Sequence, residues 1–258
     1  MTMRVAYVEW PEGLLVEDPR WPALQERIAA VEPDLLLTNE LPFGPWVAAG
    51  AVYSDEEARR SVTAHEHGLE ALEALGVPAI VSTRPVLYGE RLVNEAFVLA
   101  EGVRRPLHRK QYFPKEPGWW EREWYAGDSS GFQVAEVLGI KLGVLICTEV
   151  MFNEHARIYG RQGASLILVP RAAGADVASW QIAGAMASLV SGAYVVSSNR
   201  VGSGATGPVF GGGGFAYAPP GRVLGVTSAE DPVGVFELDP TVVARAQAEY
   251  PCYVREQG

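Results

Sequence analysis

Ile140-Lys-Leu-Gly-Val-Leu-Ile146 runs directly into Cys147-Thr-Glu149, and the reading of this stretch decides the fold. Its aliphatic side chains show little polar alternation, which marks a strand buried on both faces of a sheet. Residues 34–39 have the same character. Between such strands lie stretches of helical period. The spacing predicts helices over 22–31, ending before Pro33, and over 54–75, with Ser54 or Asp55 as cap and Gly76 as stop. It predicts others over 153–162, capped by Asn153 and stopped by Gly163, over 176–191 and over 241–249. Further strands are expected at 4–9, 78–83, 165–169 and 193–198, a hairpin of 92–100 with 103–108 about Glu101-Gly102, and a turn at Pro219-Pro220-Gly221. The alternation is that of an α/β protein. With no linker or repeat, residues 1–258 read as one domain.

Cys147 follows the end of its strand, where open α/β sheets expose an active-site crevice. Position alone still favours a core cysteine, because free Cys is among the most buried residue types. Glu40 stands at the same kind of place after 34–39, where a carboxylate is costly unless paired or functional. An exposed loop acid is the other reading. Lys110 ends Leu107-His-Arg-Lys110 and by itself reads as a surface lysine. Taken together the three are more telling, since a cysteine nucleophile needs a base and an oxyanion stabiliser. None of the four histidines adjoins these positions in the sequence reading, so a Cys–His pairing has little support. After Lys110 comes an irregular segment, 110–128, too long for a simple connection and rich in Trp, Pro and charge.

Bulk composition removes other classes. The net charge of −10 argues against nucleic acid or an anionic membrane as partner, and no apolar run reaches the length of a membrane span. Two cysteines are too few for a disulfide framework, and the histidines form no ligand-spaced cluster; His65 and His67 lie two apart, off a common helix face. No secretion signal is read at the N-terminus, so a cytoplasmic protein with a reduced thiol is expected. Gly202-Ser-Gly-Ala-Thr-Gly207 spells a dinucleotide fingerprint, but Pro208 and four glycines at 211–214 follow where a helix should open. The glycines are better read as a close approach of strands. Cys252 reads as a packing residue.

Asn39-Glu40-Leu-Pro-Phe43, Arg109-Lys110-Gln-Tyr-Phe-Pro114 and Gly143-Val-Leu-Ile-Cys147-Thr-Glu149 occur in the order and spacing of the nitrilase superfamily, the carbon–nitrogen hydrolases, which this chain resembles over nearly its whole length. The stretch from Trp180 to Asn199, Phe210-Gly-Gly and the Pro220-Gly221 turn add to the likeness. Asn39 departs from the proline usual before the glutamate, and Gly214 stands where serine is common. The resemblance implies an α-β-β-α sandwich of two mixed sheets between helix layers. It also implies a Glu40–Lys110–Cys147 triad with Glu121, three residues before an aromatic pair, as fourth acid; Glu123 is the alternative. Glu40 would be the base, Lys110 and the backbone N–H of Thr148 the oxyanion donors, and Glu121 the group that positions the substrate nitrogen.

The reaction so implied is hydrolysis of a small amide through a Cys147 thioester, with no metal or cofactor. A nitrilase or a silent binding scaffold are the alternatives. Trp120 and Trp124, with Trp119, are expected to offer apolar contact to substrate, or only to pack the loop. Arg171 is the cation that could reach a carboxylate, although neutral amides are the expected preference. The resemblance further implies a homodimer or larger assembly, paired through helices 153–162 and 176–191.

Overall fold

The computed structural model describes residues 2–128, 130–204 and 207–255. Its strands are β1 (Met3–Val8), β2 (Trp10–Pro11), β3 (Leu35–Leu37), β4 (Ala79–Tyr88), β5 (Arg91–Ala100), β6 (Val103–Arg109), β7 (Ala135–Val137), β8 (Ile140–Val144), β9 (Leu166–Arg171), β10 (Tyr194–Ser203), β11 (Val209–Gly211), β12 (Phe215–Ala218), β13 (Arg222–Val226) and β14 (Val233–Leu238). Its helices are α1 (Arg20–Ala30), α2 (Asp55–Glu73), α3 (Glu121–Trp124), α4 (Asn153–Arg161), α5 (Val177–Ser191) and α6 (Pro240–Ala248), with short 3-10 turns at Val47–Ala49 and Cys147–Met151.

Two mixed sheets form, in the order β14-β1-β3-β4-β5-β6 and β13-β12-β10-β9-β8-β7, with β2 and β11 paired to the outer part of β10. Side-chain alternation explains the layering. Val5, Tyr7, Leu35, Leu37, Val81 and Val98 of the first sheet meet Leu142, Val144, Leu166, Leu168 and Val196 of the second in one buried cluster. The intervening residues Ala6, Val8, Leu36 and Ile80 turn outward onto Trp21, Leu24 and Ile28 of α1 and Ala71 and Leu72 of α2. On the other side Leu145, Ile167, Val169 and Val195 pack on Ala156, Tyr159, Ala183 and Ala187 of α4 and α5. The molecule is therefore the α-β-β-α sandwich expected.

Boundaries differ for identifiable reasons. The strand expected at 34–39 is only Leu35–Leu37, because the chain then turns out through Leu41 at φ 50. The strand expected at 78–83 continues to Tyr88, since β5 pairs with β4 along its full length. Ser54 and Asp176 cap α2 and α5 through the N–H groups of Glu57 and Ser179. Asn153 does not cap α4; it is already the first helical residue, and its Oδ1 finds no partner among the described residues. The hairpin at Glu101-Gly102 forms as read, with φ of 53 and 70.

Of the Gly202–Gly207 motif, Ala205 and Thr206 lie outside the described residues, and the chain beyond it enters strand β11 rather than a helix. A Cβ on Gly211 would sit 2.5 Å from the carbonyl oxygen of Gly174, the close approach expected of these glycines. Among the described residues no helix is long and apolar enough to cross a membrane.

Candidate active site

The strand ends deliver the chemistry to one buried point. Glu40 leaves β3 just before Leu41, whose positive φ a non-glycine residue adopts only under constraint. The constraint is a buried ion pair. Arg200, on β10, donates to the Leu41 carbonyl, to Gly44 O at 3.1 Å and to the Glu12 carboxylate, and Glu12 accepts from Trp46 N at 3.1 Å. Glu40 is fully buried. Its Oε1 accepts from Lys110 Nζ at 2.7 Å and Asn94 Nδ2 at 2.7 Å, and its Oε2 from Ala172 N at 3.1 Å.

Lys110 has no exposed surface. It lies at the end of β6, its N–H bonded to Asn94 O at 2.9 Å, and reaches Glu121 Oε2 at 2.5 Å as well as Glu40. Burial pulls its pKa down, but Glu121 and Glu40 outweigh burial and raise it well above the usual lysine value, so it stays a cation. Glu121 opens α3, inside the segment read as irregular. Burial lifts its carboxyl to about 8 against the pull of Lys110, and Glu40 adds to the rise. One cation between two carboxylates leaves a surplus negative charge, and Glu121 is where a proton is retained. Its Oε1 is buried without a partner among the described residues. The alternative acid, Glu123, instead pairs with Lys115 at 2.7 Å on the surface.

Cys147 begins the 3-10 turn after β8 at φ 51 and is 3% exposed. Its Sγ lies 3.8 Å from Ala172 O, the carbonyl of the residue whose N–H holds Glu40, so Ala172 bridges the Glu40 carboxylate and the thiol. Burial pushes the thiol pKa up and Glu40 adds to this, while Lys110 opposes it. The resting group is thus a neutral thiol, ionised only as a base takes its proton. Thr148 follows in the first turn, where backbone N–H groups lack helical partners.

A histidine does adjoin the site, contrary to the sequence reading. His108, two residues before Lys110, bonds through Nε2 to Glu149 at 2.8 Å, not to Cys147. His65 is packed in α2 against Ser61 O at 2.8 Å, and burial takes its pKa to about 4. Among the described residues no group of three or more His, Cys, Asp or Glu side chains could hold a metal ion. Cys252 is half-buried, with Sγ 3.5 Å from Leu189 O at the end of α5.

Aromatic residues pack near Ala172. Trp46, Trp119 and Phe210 face one another with ring centroids 5.4 to 6.1 Å apart, beside Ala172 and Leu41. Trp124 is fully buried and spends its indole N–H on Gly50 O at 2.7 Å, while Trp120 is half-buried and ties its backbone to Ala48 O at 2.8 Å. Arg171 follows the parity of Ile167 and Val169, toward α5 and away from the inter-sheet layer. Its guanidinium lies between Trp180 and Phe215 and donates to Ser197 Oγ at 2.6 Å and Gly213 O at 2.8 Å. Burial lowers its pKa to about 10, against the pull of Cys147 and Glu9. Asn94, Ala172 and Trp46 escaped the sequence reading, and Phe210 entered it only as part of the likeness. Only the placing of Asn94 in a buried strand beside Glu95 could have flagged any of them.

Known proteins resemble this chain in sequence and fold. The carbon–nitrogen hydrolase family model matches residues 63–248. An (R)-stereoselective amidase from Pseudomonas sp. is 25% identical over 86% of this chain and 78% of its own. The N-carbamoylputrescine amidase of Solanum lycopersicum is 35% identical over 81 residues, 31% of this chain and only 27% of the plant enzyme. The crystal structure of an amidase from Nesterenkonia sp. superposes with a TM-score of 0.75 at 25% identity, covering 95% of this chain and 94% of that one. With a family match spanning most of its length and a buried Glu–Lys–Glu cluster beside a strained cysteine, the chain belongs to the carbon–nitrogen hydrolases.

Proposed function

We propose that the protein is an amidase that converts small neutral carboxamides to carboxylic acid and ammonia through a Cys147 thioester. The observation that carries this is the sealed charge cluster, in which Lys110 sits between Glu40 and Glu121 with Cys147 alongside. Glu40 takes the thiol proton as Sγ attacks the amide carbon, and Lys110 and the Thr148 N–H hold the resulting oxyanion. The C–N bond breaks as Glu40 returns the proton to nitrogen, and ammonia leaves. Water then gives Glu40 a proton while its oxygen attacks the thioester, and collapse releases the acid and the thiol. Oε1 of Glu121, without a partner among the described residues, holds the substrate amide by a hydrogen bond. Incubation with a small amide should release ammonia and place an acyl group on Cys147, seen by mass spectrometry. Ammonia released only from the matching nitrile, or from neither compound, refutes this reading.

Trp46, Trp119 and Phe210, packed with Ala172 and Leu41, would offer apolar contact to an acyl group held on Cys147. A second reading, a carboxylate-bearing substrate, draws on one observation, that Nη1 of Arg171 is buried without a partner among the described residues. We expect kcat/KM to be higher for a neutral amide than for a carboxylate analogue of equal size. A higher value for the acid, lost in Arg171→Ala, would establish the second reading instead.

We also propose a cytoplasmic homodimer or larger assembly paired through α4 and α5. Ile158, Ile182 and Met186 stand exposed on these helices, Ile182 at 69%. Light scattering at micromolar concentration should give at least twice the 27.9 kDa chain mass. A monomer contradicts the proposal.

A further inference from the structure

Glu149 is buried completely, two residues after the nucleophile, and takes no part in the steps above. Its carboxylate reaches three residues on two segments. Oε2 accepts from the N–H of Ile146, the residue before Cys147, at 2.7 Å and contacts His108 Nε2 at 2.8 Å. Oε1 accepts from Gln111 N at 2.7 Å. Ile146 belongs to the nucleophile turn, which grows from the second sheet. His108 and Gln111 flank Lys110, which hangs from the end of the first sheet. One side chain thus grips the backbone before the nucleophile and both flanks of the lysine.

We propose that Glu149 is a positioning residue, a clip that sets the separation of Cys147 from Lys110 and through it the stabilisation of the thiolate and the oxyanion. The proposal rests on the amidase reading for its effect on turnover, but not for its effect on the thiol. Two features make a carboxylate the fitting group. The donors approach both of its oxygens, so an amide side chain would set its NH2 against an N–H on one side. Cys147 is held at φ 51, a conformation that persists only where its surroundings fix it, and the Ile146 N–H bond is one of those fixtures. The lysine side is braced as well. Tyr112, next after Gln111, stacks on Phe152 at 4.4 Å and bonds to His155 Nε2 at 2.9 Å, so the lysine loop leans on the start of α4. If the clip opens, Lys110 withdraws from a thiol that burial and Glu40 both hold protonated.

The test compares Glu149→Gln, Glu149→Asp and His108→Ala with the parent protein. We expect Glu149→Gln to lose about 100-fold in kcat, as when an oxyanion donor is displaced, with KM within about threefold. Alkylation of Cys147 by iodoacetamide, per folded molecule by circular dichroism, should slow about tenfold. Glu149→Asp, with both oxygens, should recover more of the alkylation rate than Glu149→Gln. His108→Ala leaves the carboxylate and both backbone arms, so it tests the clip even if the Glu149 variants fail to fold. Its kcat should fall about tenfold at unchanged KM. A loss of activity that only follows the loss of folded protein, with the alkylation rate per folded molecule unchanged, overturns the proposal. So does full activity in His108→Ala. A parent protein that turns over no amide, yet whose thiol slows in Glu149→Gln, refutes the amidase reading and leaves the clip standing.

Discussion

Cys147→Ala abolishes turnover, with an expected loss of at least about 10⁴-fold in kcat, the scale on which removal of a covalent nucleophile is felt. Cys252→Ala stays within about twofold of the parent, because its thiol only packs on the last turn of α5. The contrast follows from placement. Only Cys147 shares the Ala172 backbone with Glu40 and feels the charges of Glu40, Lys110 and Glu121. Steady-state ammonia release from the two variants, with mass spectrometry of a trapped adduct, checks it. An acyl group found on any other residue would sink the assignment.

Glu121→Gln loses far more than Glu123→Gln, about 100-fold or more in kcat against about twofold. Glu121 is buried against Lys110, whereas Glu123 faces solvent beside Lys115. An amide at 121 keeps only one acceptor oxygen, so either Lys110 or the substrate loses its partner there. Reversed losses would move the fourth role to Glu123.

The same substitution has a signature in stability. Glu121 keeps its proton to about 8 in the folded protein, against a usual value of 4.5. Between these values the native state binds more protons than the unfolded chain, so this residue's contribution is full below 4.5 and is lost as pH rises to about 8. The parent should therefore lose more in melting temperature from about pH 5 to about pH 9 than Glu121→Gln does. Parallel curves would show that Glu121 ionises normally.

Much of this was legible before any coordinates. Burial period is a local property, so the aliphatic runs at 34–39 and 140–146 announce strands, and Ser54 and Asp176 announce helix starts through bonds to residues three positions away. Where a polar residue ends such a run, as Glu40 and Cys147 do, the sequence marks a place for chemistry. The resemblance then singled out Lys110 and Glu121. Lys110 by itself reads as a surface lysine, since the carboxylates that bury it lie 70 and 11 positions away.

The sequence by itself determined the class of elements, their order and the residue types at the strand ends, because each depends on side chains a few positions apart. Only the tertiary structure decided which partners those residues meet. Asn94 and Ala172 hold Glu40 because the beginning of β5 and the end of β9 lie beside it in different sheets, 54 and 132 positions along the chain. Arg171 turns toward α5 because strand parity sets it with Ile167 and Val169, and Trp180 and Phe215 enclose it there. Glu149 joins the two sheets for the same reason. Its donors come within reach only when both sheets close on their shared core, and no local pattern encodes that distance.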